Sequence, residues 1–248
     1  MKINRTICES MLPELDQLWE APPANWPLSS NDVHVWSAKI DPADARAEQL
    51  ELVLSADELR RSKQFRCAED QRRFVIGRGV LREILGMYAR VEPREIIFRY
   101  GAFGKPELAH PAKTGLQFNL SHSGELALFA VSLDRELGID LERICFLPET
   151  DAIAQGFFSE KQKAMLRAAP ADRRQTSFYQ SWTRTEAVLK CTGRGFLDDV
   201  EARSLPENFD GKICELIPAN GYAASLAVRG RPFELSAWRW PQGRCWIP

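Results

Sequence analysis

The stretch Glu125–Leu133, ELALFAVSL, constrains this chain more than any other, because it is almost wholly apolar and is bounded by glycine at Gly124. It falls far short of the roughly 18 apolar residues of a membrane span and has the length of a buried strand. The rest of the chain must supply its cover. VHVWSAKI (33–40) alternates apolar and polar residues and predicts a second strand. EIIFRY (95–100) and GIDLER (138–143) predict two more, GAFGKPEL reads as a loop, and YAASLAVR and PFELSAWRW add short strands near the end. Helices are expected from Ser55, an N-cap with Asp57 and Glu58 in the first turn, and over about 69–87. Further helices begin at Ser159 and span 174–191, and Met11–Trp19 predicts a short one before the proline- and serine-rich 21–30.

The order repeats. Each half of the chain runs strand, serine-capped helix (SADEL, SEKQK), then a long helix that opens with basic residues and an aromatic. The expected architecture is α+β, with two similar halves related by duplication. The expected division is an arm and linker at 1–30, an N-terminal half at 31–115 and a C-terminal half at 116–248 that carries the metal site.

Composition excludes several classes. There are 33 basic and 34 acidic residues among 248, a net charge of −1, which argues against a nucleic-acid binder. Six cysteines lie without any CxxC pair, so zinc and thioredoxin-like spacings are absent and the thiols read as free and intracellular. The first residues contain no apolar core of a signal peptide, and no run suits a membrane. A cytoplasmic protein is expected.

Four groups of residues carry possible chemistry. Asp140 and Glu142 lie two apart on a strand and share a side, so they are either a solvated strand face or two carboxylates that a hard divalent cation holds together. Trp182, Glu186 and Lys190 share one helical stripe, and the tryptophan implies that the stripe is partly buried. FNLSHSG places Ser121, His122 and Ser123 in a tight polar turn after a strand. No G-x-S-x-G elbow surrounds it, so a hydrolase nucleophile is not indicated, and a backbone-bonded loop histidine is the plain alternative. Arg60, Arg61, Lys63, Arg72, Arg73 and Lys105 concentrate positive charge in the first half, where they are either solvated or ligand-facing.

Taken in order, GKPEL, FNLSHSG, GIDLER, FFSEKQ and WTRTEAVLKCTGRG resemble the Sfp-type 4′-phosphopantetheinyl transferases over about residues 33–235. The resemblance implies a pseudo-twofold α+β fold with coenzyme A bound between its halves, and transfer of its 4′-phosphopantetheine to a serine of an apo acyl- or peptidyl-carrier protein. It implies Mg²⁺ held by Asp140, Glu142 and Glu186, with Glu186 as general base, directly or through a metal-bound water, and Lys190 as a catalytic, phosphate-binding cation. Lys105, Ser121 and His122 fall where the family meets the nucleotide and its 3′-phosphate, and Arg61 and Arg73 match its basic phosphate-binding positions. A fused pair of halves implies a monomer. One position departs from the pattern: the family's lysine before the helix glutamate is Thr185 here, which leaves Arg184 and Lys190 as the cations for the pyrophosphate. The alternative reading is a coenzyme A-binding relative with little transferase activity.

Overall fold

β6 (Leu126–Leu133) lies inside a five-stranded sheet, hydrogen-bonded antiparallel to β2 (Asp32–Lys39) on one side and to β5 (Leu116–Ser123) on the other. The computed structural model describes residues 6–7, 19–101, 104–112, 114–193 and 209–241. The expected helix at Met11–Trp19 lies outside these residues except for Trp19. Sheet order is β1-β10-β2-β6-β5, with β10 (Glu234–Arg239) parallel to β2 and the short β1 (Thr6–Ile7) antiparallel to β10.

Successive residues of β6 explain its lack of polar alternation. Ala127, Phe129 and Val131 enter one core with Ile76, Leu81 and Leu85 of the long helix α3 (Ala68–Ala89) and with Trp36, Trp238 and Trp240. Leu126, Leu128 and Ala130 enter a second core with Leu137, Ile139 and Leu141 of β7 (Leu137–Arg143). Both faces are dry, so neither carries a charge.

β7 belongs to a three-stranded antiparallel sheet, β7-β9-β8, with β8 at Gly211–Leu216 and β9 at Tyr222–Arg229. Its outer face carries Gly138, Asp140 and Glu142 and is covered by α6 (Arg174–Cys191), whose Ala187, Val188 and Cys191 pack on Ala227 of β9. The stack is therefore helix, sheet, sheet, helix. Gly138 lets α6 approach: a Cβ there would stand 2.2 Å from the Ala187 carbonyl oxygen and 2.3 Å from the Cys191 nitrogen.

The edges of the two sheets meet along β5 and β7, where side chains replace a strand ladder. Asn119 Oδ1 accepts from the Ile139 N–H at 2.9 Å, and Ser123 Oγ accepts from the Arg143 N–H at 3.1 Å. β5 and β6 lie beyond residue 115, where the sequence puts a boundary, yet they pair with β2, so the five-stranded sheet crosses that boundary.

Each long helix follows a short one with the expected cap. α2 (Ala56–Ser62) has a capping box between Ser55 and Glu58, and α5 (Glu160–Ala168) has one between Ser159 and Gln162. α1 (Ala47–Glu51) and α4 (Thr150–Phe157) were not anticipated. Two expectations change. Residues Pro106–His110 of the supposed GKPEL loop form β4, which pairs antiparallel with β3 (Ile97–Tyr100) in a separate ribbon. Its proline opens an edge strand, where its missing N–H is harmless. Ser121, His122 and Ser123 belong to β5 itself, and the turn begins only at Gly124, whose φ of +58° suits glycine.

Candidate active site

Extending β5 through Ser123 decides where its side chains go. Ser121 and Ser123 fall on the side facing β7, and His122 on the other. Ser121 Oγ donates to Asp140 Oδ1 at 2.9 Å, and Ser123 Oγ donates to Glu142 Oε2 at 2.8 Å. From α6, Lys190 Nζ donates to Asp140 Oδ1 at 2.7 Å and to Ser121 Oγ at 3.1 Å. Glu186 lies one helical turn before Lys190 on the same stripe. Trp182, a further turn back, packs against Phe157 and Phe178. Asp140, Glu142, Glu186 and Lys190 thus form one wall of a cleft of about 740 Å³.

The opposite wall comes from α2 and α3. Arg61, Asp70, Arg73, Phe74 and Arg78 line it, with Tyr100 of β3 beside them and Ser121 and His122 between the walls. Six of the expected site residues, Arg61, Arg73, Ser121, His122, Glu142 and Asp140, are therefore brought together with Glu186 and Lys190 in one cavity.

Electrostatics set the acids apart. Burial, then the charge of Asp140, pushes Glu186 up to about 7, against the pull of Lys190. Burial also raises Glu142, opposed by its bond from Ser123. Burial, then the Lys190 ammonium, lowers the pKa of His122. Three carboxylates share one lysine here, which is the charge imbalance a divalent cation corrects.

Among the described residues, no three acidic, histidine or cysteine side chains already stand close enough to grip a metal. The donor set nevertheless fits one. Asp140 Oδ2 is buried without a hydrogen-bond partner, and burial together with the charge of Asp140 raises the pKa of both Glu142 and Glu186.

Two expected cations point elsewhere. Lys105 Nζ donates to the carbonyl oxygens of Leu137 at 3.1 Å and Lys190 at 2.8 Å, and it does not line the cleft. It clasps β7 to the end of α6, and burial lowers its pKa. Arg184 pairs with Glu215 of β8 at 2.7 Å, away from the cleft.

Thr185 also faces away from the cleft. Its buried hydroxyl donates to the Ser181 carbonyl oxygen and accepts from Gln162 Nε2, both at 3.0 Å, so it ties α6 to α5. The expected loss of a pyrophosphate cation at this position does not follow, because this side of α6 meets α5. Sequence reasoning missed Asp70, Arg78 and Tyr100. Asp70, Phe74 and Arg78 recur at four-residue intervals, a helical stripe that periodicity alone exposes.

An α+β fold with an acidic wall facing an arginine-rich one across a single cleft defines a protein built to hold a polyanionic ligand between two parts of one chain. Residues 136–238 match the profile of the 4′-phosphopantetheinyl transferase superfamily, and residues 38–134 match that of the 4′-phosphopantetheinyl transferase N-terminal region. The chain is 37% identical to the 4′-phosphopantetheinyl transferase HetI of Nostoc sp., over 91% of this chain and 100% of that protein. It is 32% identical to psf-1 of Bacillus pumilus over 72% of this chain and 76% of that protein. With Sfp of Bacillus subtilis it shares 27% identity over 66% of this chain and 71% of that protein. The chain belongs to the 4′-phosphopantetheinyl transferase superfamily. It is a transferase of the phosphopantetheinyl group to carrier proteins.

Proposed function

We propose that this chain works in the Sfp-type manner, moving 4′-phosphopantetheine from coenzyme A to a serine of an apo acyl- or peptidyl-carrier protein and releasing 3′,5′-ADP. It acts as a cytoplasmic monomer whose two sheets, each carrying one long helix behind a capped short one, are the pseudo-twofold halves. No helix among the described residues is long and apolar enough to cross a membrane. The observation that carries the reading is the cleft itself, with Asp140, Glu142 and Glu186 on one wall and Arg61, Arg73 and Arg78 on the other.

Asp140, Glu142 and Glu186 would hold Mg²⁺, which when bound neutralises charge on the diphosphate oxygens. The chain's own groups do the rest. The serine oxygen of the carrier forms a bond to the β-phosphorus of coenzyme A. The bond from that phosphorus to the bridging oxygen breaks, and 3′,5′-ADP leaves with the electron pair. Glu186 accepts the serine proton: burial brings its pKa up to about 7, where a general base works best at neutral pH, while Lys190 favours its ionised form. Lys190 is tied to Asp140 and Ser121, which fixes its ammonium beside the diphosphate charge.

Incubation with Mg²⁺, coenzyme A and an apo-carrier protein should add roughly 340 Da to the carrier, the mass of one transferred phosphopantetheinyl group. Binding of coenzyme A with no mass gain at any Mg²⁺ concentration would instead establish a binding-only relative.

A further inference from the structure

Ser121 and Ser123 stand two apart on β5, as Asp140 and Glu142 do on β7, so each serine meets one acid. A hydroxyl has one hydrogen to give, and lone pairs that accept. At Ser121 the Lys190 ammonium, which can only donate, takes a lone pair of Oγ at 3.1 Å, and the hydroxyl hydrogen goes to Asp140 Oδ1 at 2.9 Å. At Ser123 the Arg143 backbone N–H takes that place at 3.1 Å, and the hydrogen goes to Glu142 Oε2 at 2.8 Å. A donor thus orients each hydroxyl, and each hydroxyl occupies one oxygen of its carboxylate. The other oxygen is left over: Asp140 Oδ2 is buried without a partner, and Glu142 Oε1 has no hydrogen bond among the described residues. Asp140 is anchored a second time by Lys190 at 2.7 Å, whereas the hydrogen bond from Ser123 is the one that holds Glu142 among these residues.

A carboxylate held by one oxygen offers a cation only the other. Mg²⁺ demands a tight octahedron and is served by single oxygens, whereas the larger Ca²⁺ takes more ligands and accepts both oxygens of one carboxylate. We infer that Ser123 is a positioning residue that keeps Glu142 to one free oxygen and so sets the preference of the acidic wall for Mg²⁺ over Ca²⁺. Removing the hydroxyl frees Glu142 Oε2 and lets the side chain swing. The single-oxygen arrangement is then no longer held in place, while a two-oxygen one becomes open to the larger ion.

The inference rests on the reading of Asp140, Glu142 and Glu186 as the cation ligands, which Asp140→Asn tests separately by weakening both ions. Ser123 is tested by calorimetric titration of the full chain with Mg²⁺ and with Ca²⁺, coenzyme A being present and the carrier absent, so that no turnover is needed. In Ser123→Ala the Arg143 N–H that loses its acceptor is exposed and turns to water, so the variant should melt close to the wild type. It should bind Mg²⁺ about tenfold more weakly, the scale for losing a group that orients a metal ligand, and Ca²⁺ no more weakly than the wild type does. Ser123→Thr, which keeps the hydroxyl, should restore the wild-type ratio of the two affinities. A serine that merely supports the strand gives a lower melting temperature and equal losses for both ions, and that pattern would overturn the inference. A wild type that binds neither ion overturns the ligand reading together with the inference. A wild type that binds Mg²⁺ through Asp140, with the same ratio in Ser123→Ala, overturns the inference alone. If Ser123→Ala does not fold, Ser123→Cys takes its place, because a thiol is a weak donor, and an unchanged ratio there overturns the inference as well.

Discussion

Glu186, the proposed base, is a buried carboxyl whose burial bears on stability as well as on the proposed chemistry. Its pKa rises from an ordinary 4.5 to about 7 in the protein without metal. The folded state then holds the proton more tightly than the unfolded chain does. The resulting stabilisation is present below the carboxylate range and is lost as pH rises towards 7. Glu186→Gln removes that dependence, so in chelator at pH 8 the variant should melt above the wild type by ~2 °C or more. Its turnover should nonetheless fall at least about a hundredfold, the scale of lost electrostatic catalysis. Melting curves at pH 5 and pH 8 decide it: an equal fall between the two pH values in both proteins would contradict the account. Thr185 makes the opposite case, a residue whose neighbours fix its role as structural. A lysine there would lose the bonds to Gln162 and Ser181 and place a charge against α5. Thr185→Lys should cost about 1–3 kcal/mol and lower turnover. A variant with unchanged melting and faster turnover would show that the side chain reaches the diphosphate after all.

Among the elements, α6 and β7 make the acidic wall of the cleft by their closeness. Gly138 permits it, since a methyl group there would press on backbone atoms of Ala187 and Cys191, which cannot swing aside as a flexible side chain would. Gly138→Ala should push α6 away from β7, breaking the contact of Lys190 with Asp140 and separating Glu186 from the other acids. The expected cost is about 1–3 kcal/mol, typical of overpacking. The Mg²⁺ concentration for half-maximal activity should rise as well. Gly156 in α4 is the control, because nothing lies within 4 Å of a Cβ built there. Gly156→Ala should be neutral or stabilising by about 0.5–1 kcal/mol. Equal effects of the two substitutions in denaturant melts would remove close packing as the explanation.

At the level of the whole molecule, the chain closes on itself. β10, near the end of the sequence, lies between β1 and β2, and its Trp238 and the following Trp240 pack against Trp36 with ring centroids 5.0 and 5.4 Å away. The two profile matches meet between residues 134 and 136, but the five-stranded sheet does not end there. A fragment of residues 1–134 would keep β2, β5 and β6 with an open edge and a core lacking two tryptophans. It should be insoluble or lack a cooperative melt, and co-expression with 135–248 should restore soluble, active protein. A fragment 1–134 that melted cooperatively as a monomer would show that the halves are independent.

Local signals carried much of this fold. The apolar run of β6, the caps at Ser55 and Ser159 and the stripes of α3 and α6 each depend on residues a few positions apart, so the sequence alone determined them. The alternation in GIDLE put Asp140 and Glu142 on one side for the same reason. β4 was not legible, because GKPEL becomes a strand only when β3 pairs with it. The bonds of Ser121 to Asp140 and Lys190 join three elements far apart in the chain, and no spacing encodes them. Lys105 and Thr185 had the right residue types or positions for phosphate, but packing turned the first to carbonyl oxygens and the second to Gln162. On a helix, neighbouring residues point about 100° apart, so Thr185 and Glu186 cannot share a face. Which of the two faced the cleft was decided only when α6 settled on Gly138.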